Sequence, residues 1–315
     1  MTSADGGGVA PSLTAEDLLA SVPELRTAAV LTTETIRTVP GASLSLTDIL
    51  EALQWARSAV AGGASGVVMI QGTDTIEETA YLLDLYWGEQ APLIVTGAMR
   101  PPQLVSADGP ANLLASVRVA CAEQACGRGV LVVLNDEIHA ASRVRKMRAS
   151  GLNAFESPSF GPLGYIDEGV PVFGNTFARV SLDLPVPTCA PRVALLETAL
   201  GDDGELLDLA VGAGFDGVVL SGFGVGHVSS TVAAAVERAA ASVPVVLASR
   251  TGNGSTYRHS YGFVGSESDL ITRGAMIAGW LDARKARILL ACLIAGGADG
   301  PRIRRELDQR GGLMV

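Results

Sequence analysis

Thr73 and Asp74 place a hydroxyl beside a carboxylate within the stretch Gln71-Gly72-Thr73-Asp74-Thr75-Ile76-Glu77-Glu78-Thr79-Ala80. Such a hydroxyl is a nucleophile once a base takes its proton, and such a carboxylate can clamp a cationic group. The same residues also suit a plain capped turn, with Thr75 and Glu78 in the relation of a capping box. The stretch alone leaves both readings open.

The elements that would position these groups are legible on either side. The apolar run Gly66-Val67-Val68-Met69-Ile70 precedes them, and Ile76, Ala80, Leu83 and Trp87 follow at helical spacing. That pattern predicts strand, polar turn and helix. Thr73 and Asp74 then stand at the carboxyl end of a buried strand beside a helix N-terminus, where open α/β sheets bind ligands. Ile94-Val95-Thr96-Gly97-Ala98-Met99-Arg100-Pro101 predicts the next strand and its exit loop. Ser106-Ala107-Asp108-Gly109-Pro110 predicts the start of another helix, with Asp108 at the cap and Pro110 near the first turn.

Composition narrows the class. A chain of 315 residues with 48% hydrophobic content is long enough for two domains, each with its own core. Twenty-three basic against 33 acidic residues give a net charge of −10, which argues against nucleic acid and anionic membrane as partners. No apolar run reaches the roughly 18 residues of a membrane span. Cys121, Cys126, Cys189 and Cys292 have no CxxC spacing and are expected to be buried, reduced thiols of a cytoplasmic protein. His139, His227 and His259 form no metal motif, and His139 is expected in a polar loop near a site.

Along the chain, the opening from Met1 to Val9 is polar and too short for a signal peptide. Thr14 and Asp17 start a short helix, Ala28 to Thr38 reads as a strand, and Thr47 to Val60 reads as a helix ended by Gly62-Gly63. Gly129 to Leu134 is another buried strand. A basic segment with Arg143, Arg145, Lys146 and Arg148 follows, then a turn at Gly161 to Tyr165. Strands that alternate with helices predict an α/β fold, with a larger N-terminal doubly wound, flavodoxin-like, mostly parallel sheet. Prolines at 185, 187 and 191 mark a linker over 182–191, so the expected domains are 1–181 and a smaller α/β domain over 192–315. Asp282 to Ala295 is expected to be the last helix. No GxGxxG or GxxxxGK[ST] follows any strand, which leaves a nucleotide-binding reading weak.

QGTDTIEETAYLLDL, VTGAMRP and SADGPANLL together resemble the bacterial-type L-asparaginase/glutaminase family, in letters, spacing and order. The resemblance runs from about Leu18 to the C-terminus and is densest from Gly66 to Gly164. It implies hydrolysis of the side-chain amide of L-asparagine, and in many family members of glutamine, without metal or cofactor, by a homotetramer acting on a small amino acid. It also implies a Thr73, Asp74, Lys146 triad, with Lys146 as the base and Asp74 on the substrate's α-amino group. A lysine in a confined site can lose its proton near neutral pH and serve as that base. By the same resemblance Gly72 and the backbone of Ala98 surround the substrate amide and carboxylate, and Ser43 binds the carboxylate.

The sequence also departs from the family pattern. The family's Gly-Gly-Thr-Ile strand, which carries a threonine usually assigned as the nucleophile, has no match, and its loop tyrosine has none in Gly6 to Pro11. Two explanations stay open: a start further upstream, or a binding homologue impaired in catalysis. Gln71 stands where many members have histidine, and Val225 where asparagine is common. Glu267 and Asp269 either form a capped turn or reach a neighbouring subunit's site.

Overall fold

The Val67–Ile70, Leu93–Thr96 and Val130–Leu134 strands pair in parallel in that order, and the helices Ile76–Tyr86 and Gly109–Ala120 make the crossovers between them. The Leu93–Thr96 and Val130–Leu134 strands are buried at every residue, as apolar runs between helical layers must be. The computed structural model describes residues 2–3 and 9–312, so the glycines at 6–8 lie outside the described residues. The described chain divides into two units, Met1–Ser181 and Leu182–Val315.

In the first unit three antiparallel strands extend the parallel core into a six-stranded sheet. Asn135 and Asp136, with φ of 51° and 59°, turn the chain straight back into the Glu137–Ala140 strand. Two successive left-handed residues are what a tight hairpin requires, and Asn and Asp tolerate that region best. Gly164–Asp167 and Val170–Phe173 complete the sheet. Ile94, Leu131, Val133, Ile138 and Val119 pack on one face of it.

The second unit is a smaller α/β sheet of four parallel strands, Val193–Glu197, Gly217–Gly222, Val245–Ser249 and Met276–Ile277. Ser229 caps the Ser230–Ala240 helix and Asp282 caps the Ala283–Ala295 helix. Leu182 is buried, and the Leu184 side chain lies against Gly296. Among the described residues no helix is long and apolar enough to cross a membrane.

Five expectations are corrected. Ala28 to Thr38 is not a strand: Leu25–Ala28 is a helical turn, and 29–38 has no regular structure. Its polar side chains bind helices instead, with Arg37 on Asp48 and Glu51 and Thr35 on the Ala15 N–H, while Val30 is fully exposed. β-branched residues favour a strand only where a ladder partner exists. Ala283–Ala295 is not the last helix, because Gly300–Arg310 follows, capped by Asp299 and burying Ile303 and Leu307. His139 is a buried strand residue, with Nδ1 2.9 Å from Ser157 Oγ. The cysteines are all free, but only Cys292 is buried; Cys121 caps the end of the Gly109–Ala120 helix, and Cys126 follows a surface turn. Thr75 and Glu78 form no capping box, for a reason found in the site.

Candidate active site

The chain leaves the Val67–Ile70 strand through Gln71 and Gly72 into a 3₁₀ turn, Thr73–Thr75, that runs into the Ile76–Tyr86 helix. Thr75 makes no cap bond to this helix. Its Oγ1 donates to the Gly41 carbonyl at 3.1 Å and accepts from Gln71 Nε2 at 3.2 Å. A tertiary acceptor has displaced the local one. This bond draws a second 3₁₀ turn, Gly41–Ser43, against the first, and a Cβ on Gly41 would lie 2.8 Å from the Gly72 carbonyl oxygen. Ser43, exposed, stands on that second turn. The Gln71 Oε1 is buried with no protein partner among the described residues.

The third wall is the loop after Leu93–Thr96. Gly97 passes close over the Gln71 carbonyl, and half-buried Ala98 follows. Asp108 occupies the cap position of the Gly109–Ala120 helix without capping it. Its carboxylate turns back to accept the N–H groups of Met99 at 2.9 Å and Arg100 at 2.8 Å. Buried Asn112 donates to the Gly97 carbonyl at 2.9 Å and to Asp108 at 3.0 Å, and accepts the Asn135 N–H at 3.0 Å. One amide thus joins the exit loops of the two inner parallel strands.

Lys146 arrives from a two-residue strand, Arg145–Lys146, paired antiparallel with Phe155–Glu156. Its Nζ donates to Thr73 Oγ1 at 3.0 Å and to Asp74 Oδ1 at 3.2 Å. The lysine side chain is 17% exposed and the Asp74 side chain 59%. An ion pair so open on one side is worth about 0–1 kcal/mol, so it orients the amine far more than it stabilises the fold. The exposed side of Asp74 remains available to a cationic group. An unprotonated amine at 3.0 Å is within reach of the Thr73 hydroxyl proton. The arrangement can therefore activate a hydroxyl against an electrophilic carbon.

The sequence-derived residues thus fall into one neighbourhood of the first unit. Thr73, Asp74 and Lys146 touch directly, and the turn carrying Ser43 is bonded to the turn carrying Thr73 through Thr75 and Gly41. Ala98 follows Gly97, whose Cα faces the Thr73 methyl. Glu77, Asp108 and Asn112 were missed as site-building residues. For Asn112 the available signal was a polar side chain on the inward face of an otherwise apolar helix, whereas Glu77 and Asp108 read locally as ordinary helix-start residues.

Residues 1–177 match the family model described as Asparaginase, N-terminal, and residues 192–307 match the Glutaminase/Asparaginase C-terminal domain. The chain belongs to the asparaginase family. An L-asparaginase of Bacillus licheniformis is 36% identical over 241 residues, 76% of this chain and 74% of that protein. L-asparaginase 2 of Bacillus subtilis is 33% identical over 302 residues, 93% of this chain and 78% of that one. The crystal structure of a probable cytoplasmic L-asparaginase from Campylobacter jejuni superposes with a TM-score of 0.88 at 30% identity, covering 97% of this chain and 94% of that chain.

In the second unit of this asparaginase-family chain, Ser266 caps the Glu267–Thr272 helix. Glu267 is fully buried, accepts the N–H groups of Ser260 and Tyr261 at 2.8 Å each, and faces His227 Nε2 at 3.1 Å. Burial alone would raise its pKa. The Tyr261 N–H, its own N–H, the Ser260 N–H and His227 outweigh that and hold it below the usual carboxylate value. Asp269 is likewise held low, first by the Arg273 guanidinium at 2.9 Å.

Proposed function

We propose that this chain hydrolyses the side-chain amide of L-asparagine to L-aspartate and ammonia, with Thr73 as the nucleophile and Lys146 as its base. One observation carries the reading: a lysine amine lies 3.0 Å from the threonine hydroxyl and 3.2 Å from the neighbouring carboxylate. These groups come from elements more than 70 residues apart, since 73 and 72 positions separate them.

The unprotonated Lys146 amine takes the Thr73 proton as Oγ1 bonds to the amide carbon. The C–N bond then breaks, the ammonium returns its proton to the leaving nitrogen, and ammonia departs from a Thr73 ester. Water, deprotonated by the same amine, adds to the ester carbon; breaking the ester bond frees aspartate and restores the hydroxyl. Asp74 orients the lysine and presents its open side to the substrate's α-ammonium. Free main-chain N–H groups at the start of the 3₁₀ turn would suit a developing oxyanion or the substrate carboxylate, with Gly72, Ala98 and Ser43 around it. By the family resemblance we read the protein as a homotetramer that needs no cofactor, and the probable cytoplasmic L-asparaginase of Campylobacter jejuni supports a cytoplasmic location.

Ammonia release from L-asparagine and L-glutamine tests the reading, with Thr73→Ala and Lys146→Ala beside the native chain. Release from asparagine that both variants abolish is expected. Near-normal turnover in either variant removes the assignment of the site. Aspartate binding by calorimetry without any ammonia release would favour an amino-acid-binding homologue instead.

A further inference from the structure

Lys146 reaches its threonine from a weak scaffold. A two-residue ladder does not hold itself in place. Its partner strand is fixed from one side: Ser157, just beyond Phe155–Glu156, bonds His139, which is buried in the Glu137–Ala140 strand of the main sheet. The lysine strand is fixed from the other side. The Lys146 N–H donates to Glu77 Oε2 at 2.7 Å, and the Glu77 side chain belongs to a residue only 4% exposed. Glu77 lies in the first turn of the Ile76–Tyr86 helix, directly after the turn that carries Thr73 and Asp74. One helix start therefore holds the hydroxyl through its backbone and the amine through the main chain of its residue.

We propose that Glu77 is the positioning residue for Lys146: its carboxylate fixes the lysine backbone relative to the Thr73 turn, so that Nζ meets Oγ1. The inference rests on the amidohydrolase reading for its effect on rate, but the contact itself can be tested without it. The Glu77 oxygen gives the Lys146 N–H an acceptor, and this bond adds to the ladder that the strand is too short to supply alone. A misplacement of about 1 Å at a reacting group costs roughly 100-fold in rate.

The test compares Glu77→Ala, Glu77→Gln and Asp84→Asn in the full chain. The readouts are kcat and KM for L-asparagine, and hydrogen exchange of a peptide spanning 144–148. Glu77→Ala should lower kcat by roughly 100-fold with KM little changed, and should speed exchange at the Lys146 amide. Glu77→Gln keeps an acceptor oxygen at the same place and should restore both. Asp84 is buried in the same helix but bonds Arg179 and the Val130 N–H, so its variant should destabilise the fold without moving kcat. Native kcat in Glu77→Ala, an equal loss in Asp84→Asn, or unchanged exchange would overturn the proposal. If Glu77→Ala does not fold, Glu77→Asp withdraws the acceptor by one methylene and reads the same quantities. A native chain silent on both amides would sink the amidohydrolase reading. Exchange at Lys146 would then still decide the role of Glu77: faster in Glu77→Ala and native in Glu77→Gln sustains it, unchanged in both rejects it.

Discussion

Gly97 lies so close to Gln71 that a Cβ on the glycine would stand 2.5 Å from the Gln71 carbonyl oxygen and 3.3 Å from the Thr73 methyl. The obstacle is backbone, which cannot swing aside like a flexible side chain. Gly97→Ala must therefore push the Gln71–Thr73 turn away from the loop of Ala98. Overpacking of this kind costs about 1–3 kcal/mol, and here the displaced atoms include those that would react. We expect a lower urea midpoint together with a fall in kcat for L-asparagine. A variant with native midpoint and native turnover would show that the two loops are not packed as described.

Asp108 makes a different kind of claim, because it holds a loop by its N–H groups. Asp108→Ala leaves the Met99 and Arg100 amides without their acceptor and Asn112 without one of its partners. A buried donor left unpaired costs about 1–3 kcal/mol. The loop it frees is the one that carries Ala98 to the substrate side. We expect KM for asparagine to rise more than kcat falls. Steady-state kinetics check this split, and a loss confined to kcat would place Asp108 with the reacting groups instead.

How much of this was legible depends on the range of the interaction. The strand, turn and helix from Val67 to Tyr86 follow from local periodicity, and Ser45 with Asp48 caps its helix as local chemistry dictates. The Thr75 capping box failed because its hydroxyl found the Gly41 carbonyl, 34 positions away. Glu77 reads locally as an acidic residue in a first helical turn, and its partner is 69 positions distant. Residues 28–38 have strand-like composition, yet composition cannot reveal whether another strand lies alongside. His139 was misplaced for a related reason: the polar residues before it are a two-residue turn, not a loop. The grouping of Lys146 with Thr73 and Asp74 came through family resemblance; the residues alone gave only a hydroxyl beside a carboxylate.

Glu267 links the second unit to pH. Its carboxyl is held below the usual value in the folded chain, while the unfolded value is about 4.3. The folded state therefore binds fewer protons than the unfolded one in the window between the two values. The stabilisation from the ionised form is complete above about pH 4.3 and is lost as pH falls through the folded pKa. Glu267→Gln removes the titration but keeps the shape. We expect it to be less stable than the native chain at pH 6, with a smaller fall in urea midpoint between pH 5 and pH 3. Asp269 titrates in the same direction, so part of the slope should survive. Equal slopes in both proteins would mean that the Glu267 hydrogen bonds do not discriminate its charge states.

Lys146→Met separates chemistry from folding most directly. Methionine keeps an unbranched apolar side chain along the path of the lysine stem and removes only the amine. The lost ion pair is partnered by an aspartate with 59% of its side chain exposed, and such pairs contribute about 0–1 kcal/mol. The Lys146 N–H still reaches Glu77, because that bond uses the main chain. Stability should therefore stay within about 1 kcal/mol of native. Activity should not, because a positioned base contributes about 10²–10⁴-fold and no second amine is described within bonding distance of Thr73 Oγ1. The expected result is a native urea midpoint with ammonia release down by at least about 100-fold. A variant that unfolds would make Lys146 a structural residue, and one that folds and turns over normally would return Thr73 to the plain turn it resembles in isolation.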